Sequence, residues 1–339
     1  ELYFNIPLTT GIVLVASITL LYTLIGGMWA VTLTDTVQVL VALTGLVVLL
    51  VFALSDPLLG NGNALHGLFA VYHHISDTYP NHLRFLPSGM SITVILAWLG
   101  AWATGLFGNI PGQDLQQRAF AAKSANTAMY ACIFAGCAYF IFGMIPVTLG
   151  FASLVTHPGQ SIDPVGFLAG QYLSTGMLVI FVVAVVSMVV STATSAVLAP
   201  ATILGHNLLA RLNVFHVSPL ARDRICVVLV SIGGILLAMW GKSLMELLDV
   251  ALSIQLVALF VPVVMGIYGR PRGPLPAVLS MILGFSGWVS VFILENIPAL
   301  SAQFPLSYVT RIPSDFWGLS LAVFGYVLGQ QLSKTESFV

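Results

Sequence analysis

Charge is what this sequence lacks. Of 339 residues, 11 are Lys or Arg and 12 are Asp or Glu, so charged side chains make up 7% of the chain against 58% hydrophobic ones. Soluble domains carry about 25% charged residues, and a water-facing surface cannot be built from so few. The formal net charge of −1 leaves no surplus of cations for phosphates and excludes a nucleic-acid partner. Cysteine is scarce as well. Cys132, Cys137 and Cys226 all lie within apolar runs, where they behave as small hydrophobes and form neither a disulfide framework nor a metal set. Paired carboxylates, a His-Cys cluster and a nucleophile-base arrangement are also missing from the apolar runs, so no enzyme is expected. The chain opens on Glu1 without a basic n-region or a cleavage site and reads as a piece beginning inside a longer protein.

What is present is long apolar runs. A hydrocarbon core about 30 Å thick takes roughly 20 helical residues to cross, and nine such spans are expected, at 9–31, 35–55, 90–108, 125–152, 175–205, 222–241, 246–268, 274–296 and 314–332. The chain is therefore read as an all-α polytopic protein of the cell membrane, with the lipid bilayer as its solvent. The connection at 55–89 is the one sizeable hydrated loop. It holds His66, His73, His74 and His82, whose spacing suits a solvated connection better than a metal site.

Short cytoplasmic loops collect Lys and Arg. With the turn at 31–34 placed in the cytoplasm and the spans alternating from there, Arg118, Lys123, Arg211, Arg222, Arg224, Arg270, Arg272 and Lys334 fall inside. Arg84, Lys242 and Arg311 fall outside. This bias puts the histidine-bearing loop outside and the C-terminus in the cytoplasm.

Three places carry polar chemistry into apolar surroundings. Gly105, Gly108, Pro111 and Gly112 interrupt an apolar run that continues with Asn109, Gln113, Asp114, Gln116, Gln117 and Arg118. Either a helix breaks here at membrane depth and frees backbone groups for ions and polar solutes, or the helix ends and a cytoplasmic loop begins. Spacing leaves both readings open. On 182–199, Ser187, Ser191 and Ser195 recur every fourth residue and share one helix face. That face serves close helix packing, or else the Ser191 and Thr192 hydroxyls and the Met188 carbonyl hold a hard cation such as Na⁺ through oxygen. Asp35 is an interfacial N-cap or a cation-attracting carboxylate at an inner mouth. Glu246 and Asp249 are read as helix-start acids.

Three segments together resemble the sodium/solute symporter family, with the choline- and proline-type branches nearest in feel. YTLIGGMWAVTLTDTVQ at 22–38 is similar to a family helix-turn-helix signature. NIPGQDLQQRAFAAKS at 109–124 resembles the Gln-Arg and Ala-Lys-Ser segment after the broken helix, and SMVVSTATSAVLA at 187–199 resembles the sodium-site helix. The resemblance implies a LeuT-type inverted-repeat fold, present in part as a single transmembrane domain over 1–339. Residues 1–55 would end the first repeat, 90–268 would form the second, and 274–332 would be peripheral helices, with the first core helices missing. It further implies that Ser191, Thr192 and the Met188 carbonyl bind Na⁺ as the coupling ion, and that Asp35 lies along the inner cation path. The sequence departs from the family at Thr194, where many members carry Asp. It departs again at Gly112, where the choline branch has an aromatic residue.

The expected function is a sodium-coupled symporter that imports a small organic solute by alternating access. Trp98, Trp102, Asn109, Gln113 and Gln255 are the candidate solute contacts, although interfacial or packing use is the commoner state of such tryptophans. A rival from another class is a symporter-fold sensor that reports solute occupancy to a partner without net transport.

Overall fold

A computed structural model describes residues 7–87, 89, 91–159, 163–212, 218–240, 244–270, 272–296 and 312–333. Lys242, Arg311 and Lys334 lie outside the described residues. Helices are the only regular secondary structure among those described. In chain order they are α1 (Leu8–Leu54), α2 (Ala64–Thr78), α3 (Ile92–Phe107), α4 (Gln113–Phe120), α5 (Ala125–Thr156), α6 (Pro164–Tyr172) and α7 (Thr175–Thr202). There follow α8 (Ala210–Leu212), α9 (Pro219–Trp240), α10 (Leu244–Ile254), α11 (Val261–Tyr268), α12 (Leu275–Asn296) and α13 (Ser314–Leu332). Six stretches are long and apolar enough to cross a membrane: Thr9–Gly26, Val31–Leu54, Ala125–Thr156, Thr175–Leu209, Met245–Tyr268 and Leu275–Glu295. Ile92–Phe107 is a shorter apolar helix. The nine expected spans are thus not reproduced as nine by length and apolarity among the described residues.

The first two expected spans need correction. The turn at 31–34 is absent, and α1 runs unbroken for 47 residues, about 70 Å at 1.5 Å per residue. No proline interrupts it, and its hydroxyls bond back within the helix instead of capping a new start. Thr34 Oγ1 donates to the Val31 carbonyl at 3.1 Å and Thr36 Oγ1 to the Thr32 carbonyl at 2.9 Å.

The 55–89 connection is not a plain loop either. Asn63 caps α2 by accepting from the Leu65 and His66 backbone N–H groups. Gly67, Val71 and Ile75 then recur every fourth residue on its buried face. Val71 and Ile75 pack with Leu54, Leu59 and Ala152. Gly67 is required here: a β-carbon on it would lie 1.9 Å from the Leu54 carbonyl oxygen, where α2 crosses the end of α1. The four histidines are exposed, as the solvated reading expects. His73 Nδ1 pairs with Asp77 at 3.0 Å, and no cluster of three metal-ligating side chains occurs among the described residues.

The molecule divides into two compact bodies. The first comprises Glu1–Arg84 and Gln117–Trp240, the second Phe85–Gln116 and Gly241–Val339. In the first body, Leu49 and Ala53 of α1 meet Ile145 and Leu149 of α5, Leu168 and Ala169 of α6, and Phe181 of α7 in one core. Ala201, Cys226 and Val227 form a further core where α7 and α9 meet Leu20 and Leu24 of α1. At the outer edge of the α6 packing, the Tyr172 hydroxyl donates to Asp56 at 2.8 Å. Burial, followed by that bond to a carboxylate, pushes the phenol upward from its usual range, so Tyr172 stays a neutral donor. In the second body, Gly318, Ala322, Gly325 and Gly329 are buried on α13, the small residues that let helices approach closely in lipid.

Two helices widen into π turns, and each lies beside a proline. Pro200 inside α7 precedes the π segment Ile203–Leu209, and Pro262 follows the π segment Gln255–Phe260. A proline ring removes one backbone donor and crowds the preceding turn, and a π bulge is one way for a helix to absorb the change.

Candidate functional site

In the first body the serine face of α7 turns toward the middle of α1. Ser191 Oγ donates to Asp35 Oδ1. The other carboxylate oxygen accepts from Arg118 Nη2 at 3.0 Å, and the same guanidinium nitrogen donates to Ser195 Oγ at 2.5 Å. One carboxylate, one guanidinium and two hydroxyls therefore form a single network joining α1, α4 and α7. The Asp35 side chain is only 18% exposed while Arg118 is 43% exposed, so the anion is the more desolvated partner and depends on its hydrogen bonds more. Asp35 lies inside a continuous helix and is not the N-cap of a second one.

The other two expected cation ligands bond to each other. Thr192 Oγ1 donates to the Met188 carbonyl at 3.0 Å and is exposed, while Ser191 faces Asp35. Thr194, where many family members are acidic, is fully buried and donates to the Ser191 carbonyl at 2.7 Å. One turn beyond Asp35 on α1, Gln38 Oε1 is buried with no hydrogen-bond partner among the described residues. Buried polar atoms are normally satisfied. An orphan side-chain carbonyl oxygen one turn along the helix from a carboxylate is donor chemistry that a hard cation takes.

The second body holds all five candidate solute contacts, in two groups. Near the start of α3, Phe85, Trp98 and Trp102 form an aromatic corner, with ring centroids 5.6 Å apart for Phe85-Trp98, 5.2 Å for Phe85-Trp102 and 6.0 Å for Trp98-Trp102. Trp98 Nε1 donates to the Phe85 carbonyl at 3.1 Å, which fixes the ring, and Trp102 is 40% exposed. At the other end, α3 stops at Phe107 and α4 starts at Gln113. Between them, the Ile110 N–H donates to the Phe107 carbonyl at 3.2 Å and the Gly112 N–H to the Asn109 carbonyl at 3.0 Å. The interruption is thus a compact pair of turns. Pro111 and Gly112 are buried, whereas Asn109 is exposed. A β-carbon on Gly112 would sit 2.9 Å from both the Asn109 carbonyl oxygen and Asp114 Oδ1, and 3.6 Å from Gln255 Oε1. The missing side chain lets the turn close against the Asn109 carbonyl and the Asp114 carboxylate, while Gln255, at the start of a π segment, lies at ordinary contact distance from it. Asp315 on α13 accepts from Thr104 Oγ1 at 3.0 Å and from Trp288 Nε1 at 2.8 Å, tying α3 to α12 and α13 one turn before Gly108.

The family model for the sodium:solute symporter family matches residues 1–284. This chain belongs to the sodium:solute symporter family. The symporter-family chain is 24% identical over 345 residues to a high-affinity choline transporter of Drosophila melanogaster, covering 91% of this chain and 53% of that protein. It is 28% identical over 180 residues to a sodium/glucose cotransporter of Vibrio parahaemolyticus, covering 51% of this chain and 32% of that protein. A human high-affinity choline transporter is 24% identical over 217 residues, covering 60% of this chain and 36% of that protein. The chain therefore spans about half the length of the first relative and about a third of the others. Among solved structures, a substrate-bound, outward-open Na⁺-coupled sialic acid symporter matches with a TM-score of 0.70 at 17% identity, over 99% of this chain and 69% of that one. The expected all-α, LeuT-type transporter fold holds, in a multi-pass membrane protein.

Sequence reasoning about this symporter-family chain missed several participants. Arg118 stood there as a marker of orientation and as the end of the polar run after the glycine-proline break, because nothing in its spacing shows that it reaches back to Asp35. Phe85 lay in a segment read as hydrated loop. Gln38 carried a signal, as the last residue of the Thr-Asp-x-x-Gln element, but only burial reveals that its oxygen lacks a partner.

Proposed function

We propose that the protein acts as a sodium-coupled symporter importing a small organic solute by alternating access. The observation that carries this reading is the Asp35 carboxylate held between the Ser191 hydroxyl and the Arg118 guanidinium, with the orphan Gln38 oxygen one turn away. Family membership and the fold shared with a Na⁺-coupled symporter support it.

Asp35 supplies the negative charge of the cation path, and Arg118 is a tethered cation that balances it when Na⁺ is elsewhere. Ser191, Thr192 and the Met188 carbonyl are the Na⁺ ligands. For Thr192 to serve, its hydroxyl keeps donating to Met188 while its lone pairs face the ion, which suits a neutral oxygen ligand. The site has no fixed charge on α7 itself, so it binds weakly enough to release. Movement of one charge down a 100 mV potential provides roughly 2.3 kcal/mol to drive solute uptake.

Solute contacts come from Trp98 and Trp102, whose rings suit an organic body, and from Asn109, Gln113 and Gln255, whose amides suit polar groups. The named relatives transport choline and glucose or act on sialic acid, and this chain carries aromatic faces and amides that suit a small polar solute of that size. Residues 1–55 close the first repeat, 90–268 form the second and 274–332 are peripheral, with the C-terminus in the cytoplasm.

The test is solute uptake by the full-length protein in proteoliposomes with an imposed Na⁺ gradient. Ser191→Ala and Thr192→Ala are each expected to raise the Na⁺ concentration for half-maximal uptake by about tenfold, equivalent to about 1.4 kcal/mol. Unchanged Na⁺ dependence in both variants would remove these ligands from the site.

A further inference from the structure

At the break between α3 and α4, three oxygen atoms converge on one point. All lie within 3.6 Å of the position that a β-carbon on Gly112 would take: the Asn109 backbone carbonyl oxygen and Asp114 Oδ1 at 2.9 Å, and Gln255 Oε1 at 3.6 Å. They are contributed by the turn itself, by the first turn of α4 and by the first residue of the π segment Gln255–Phe260, and all three residues belong to the second body. The Gly112 N–H takes one lone pair of the Asn109 carbonyl, which leaves the other free. Neither the Asp114 carboxylate nor the Gln255 amide has a hydrogen-bond or ion-pair partner among the described residues.

Packing holds these oxygens in place. Pro111 and Gly112 are buried, which fixes the turn. A β-carbon on Gly108 would lie 2.8 Å from the Leu252 carbonyl oxygen, so the bare glycine lets α10 close on the end of α3. Leu252 and Gln255 are three residues apart and share one helix face, and the contact that docks Leu252 also brings the Gln255 amide to the turn. Three acceptors that face one point repel one another unless a positive charge lies between them. A carboxylate, an amide oxygen and a backbone carbonyl are the ligand types of a hard cation, and the carbonyl end of α3 adds the partial negative charge of a helix C-terminus. A single carboxylate suits a monovalent ion, since Ca²⁺ sites gain affinity from additional ligand charge. Asn109 and Asp114 are exposed, so water completes the shell.

We propose that the α3-α4 break binds a monovalent alkali cation through the Asn109 carbonyl, Asp114 and Gln255, in addition to the coupling ion assigned to α7. Asp114 supplies the charge. Gln255 ties occupancy to the π segment that it begins, and its NH₂ group stays free for a solute. The proposal rests on the geometry of the second body and not on the transport reading, so either can fail alone.

The test is hydrogen-deuterium exchange of the full-length protein, followed by mass spectrometry in peptides from 105–116 and 252–260, with NaCl or KCl replacing N-methylglucamine chloride at constant ionic strength. At about 150 mM Na⁺ or K⁺ the wild type is expected to exchange about fivefold more slowly in both peptides, the factor 1 + [L]/Kd for a Kd of roughly 40 mM. Asp114→Asn abolishes the slowing. Gly112→Ala, whose methyl group enters the space between the oxygens, does the same, and Gln255→Glu enlarges the slowing by adding a second carboxylate. The double variant Ser191→Ala with Thr192→Ala keeps it, which separates this site from the ligands on α7. No slowing of the wild type by either cation, undiminished slowing in Asp114→Asn, or its loss in Gln255→Glu or in the double variant overturns the proposal.

Discussion

The two bodies carry different side chains at their candidate sites. Around Asp35 the first body places one carboxylate, one guanidinium and the hydroxyls of Ser191 and Ser195 in a chain of mutual hydrogen bonds. Around Trp98 the second body places three aromatic rings, and around Gly112 it places a backbone carbonyl, the Asp114 carboxylate and the Gln255 amide. The first arrangement responds to charge, because its energy changes whenever a cation joins or leaves the carboxylate. The second responds to shape and to apolar surface, because its rings carry no net charge and offer faces and edges. On the function proposed above, the coupling ion and the organic solute are met by different bodies.

The largest effect that would break this comparison is expected at Asp35. Asp35→Asn removes the negative charge behind two charge-assisted hydrogen bonds, each worth roughly 1.5–3 kcal/mol, replaces one acceptor oxygen by an NH₂ donor, and leaves Arg118 unbalanced. Na⁺-driven uptake should fall by about 10- to 100-fold, and Asp35→Glu should restore part of it. If Asp35→Asn transports normally, the network is structural and the first body is not the charge-sensing one. A middle-sized effect is expected at Trp102. Trp102→Ala should weaken solute affinity by about tenfold, in keeping with roughly 0.5–1.5 kcal/mol for one aromatic contact beyond its buried area. Uptake titrated against Na⁺ at saturating solute should not move, and a parallel shift in Na⁺ dependence would show that the two tasks are not separable by body. The smallest effect belongs to Gln38. Gln38→Met keeps the side-chain length without the oxygen and should raise the Na⁺ requirement about threefold while slightly stabilising the fold, since it removes an unsatisfied buried acceptor. Thermal unfolding and the Na⁺ titration together check it, and a loss of stability would mean that Gln38 has a structural partner.

Most of the helices were legible from apolar runs, because a span about 20 residues long leaves an unmistakable compositional trace. The stretches at α5, α7 and α12 follow this rule, with ends displaced by a few residues. The errors cluster where composition and geometry part company. A Thr-Asp pair is an ordinary helix-start signal, yet in α1 those side chains bond within the helix or across to α4 and α7, and the helix continues. The segment 55–89 is polar enough to pass for a loop, yet one face bearing Gly67, Val71 and Ile75 is enough to bury a helix against α1 and α5. At the site, the hydroxyl face of α7 could be read from its four-residue spacing, while its partners Asp35 and Arg118 are 156 and 77 residues distant from the serines they meet.

By itself the sequence determined that this is a membrane-embedded bundle of helices, that one face of α7 is rich in hydroxyls, and that the glycine-proline segment after α3 either breaks a helix or ends one. Each of these follows from local composition and from periodicity along one element. Only the tertiary structure decided that α1 passes straight through its Thr-Asp pair, that Asp35 is shared between Ser191 and Arg118, and that Gln255 lies beside the Gly112 turn. Those outcomes depend on which surfaces meet across long stretches of chain, and a burial or a hydrogen bond between distant residues leaves no mark in the spacing of either one.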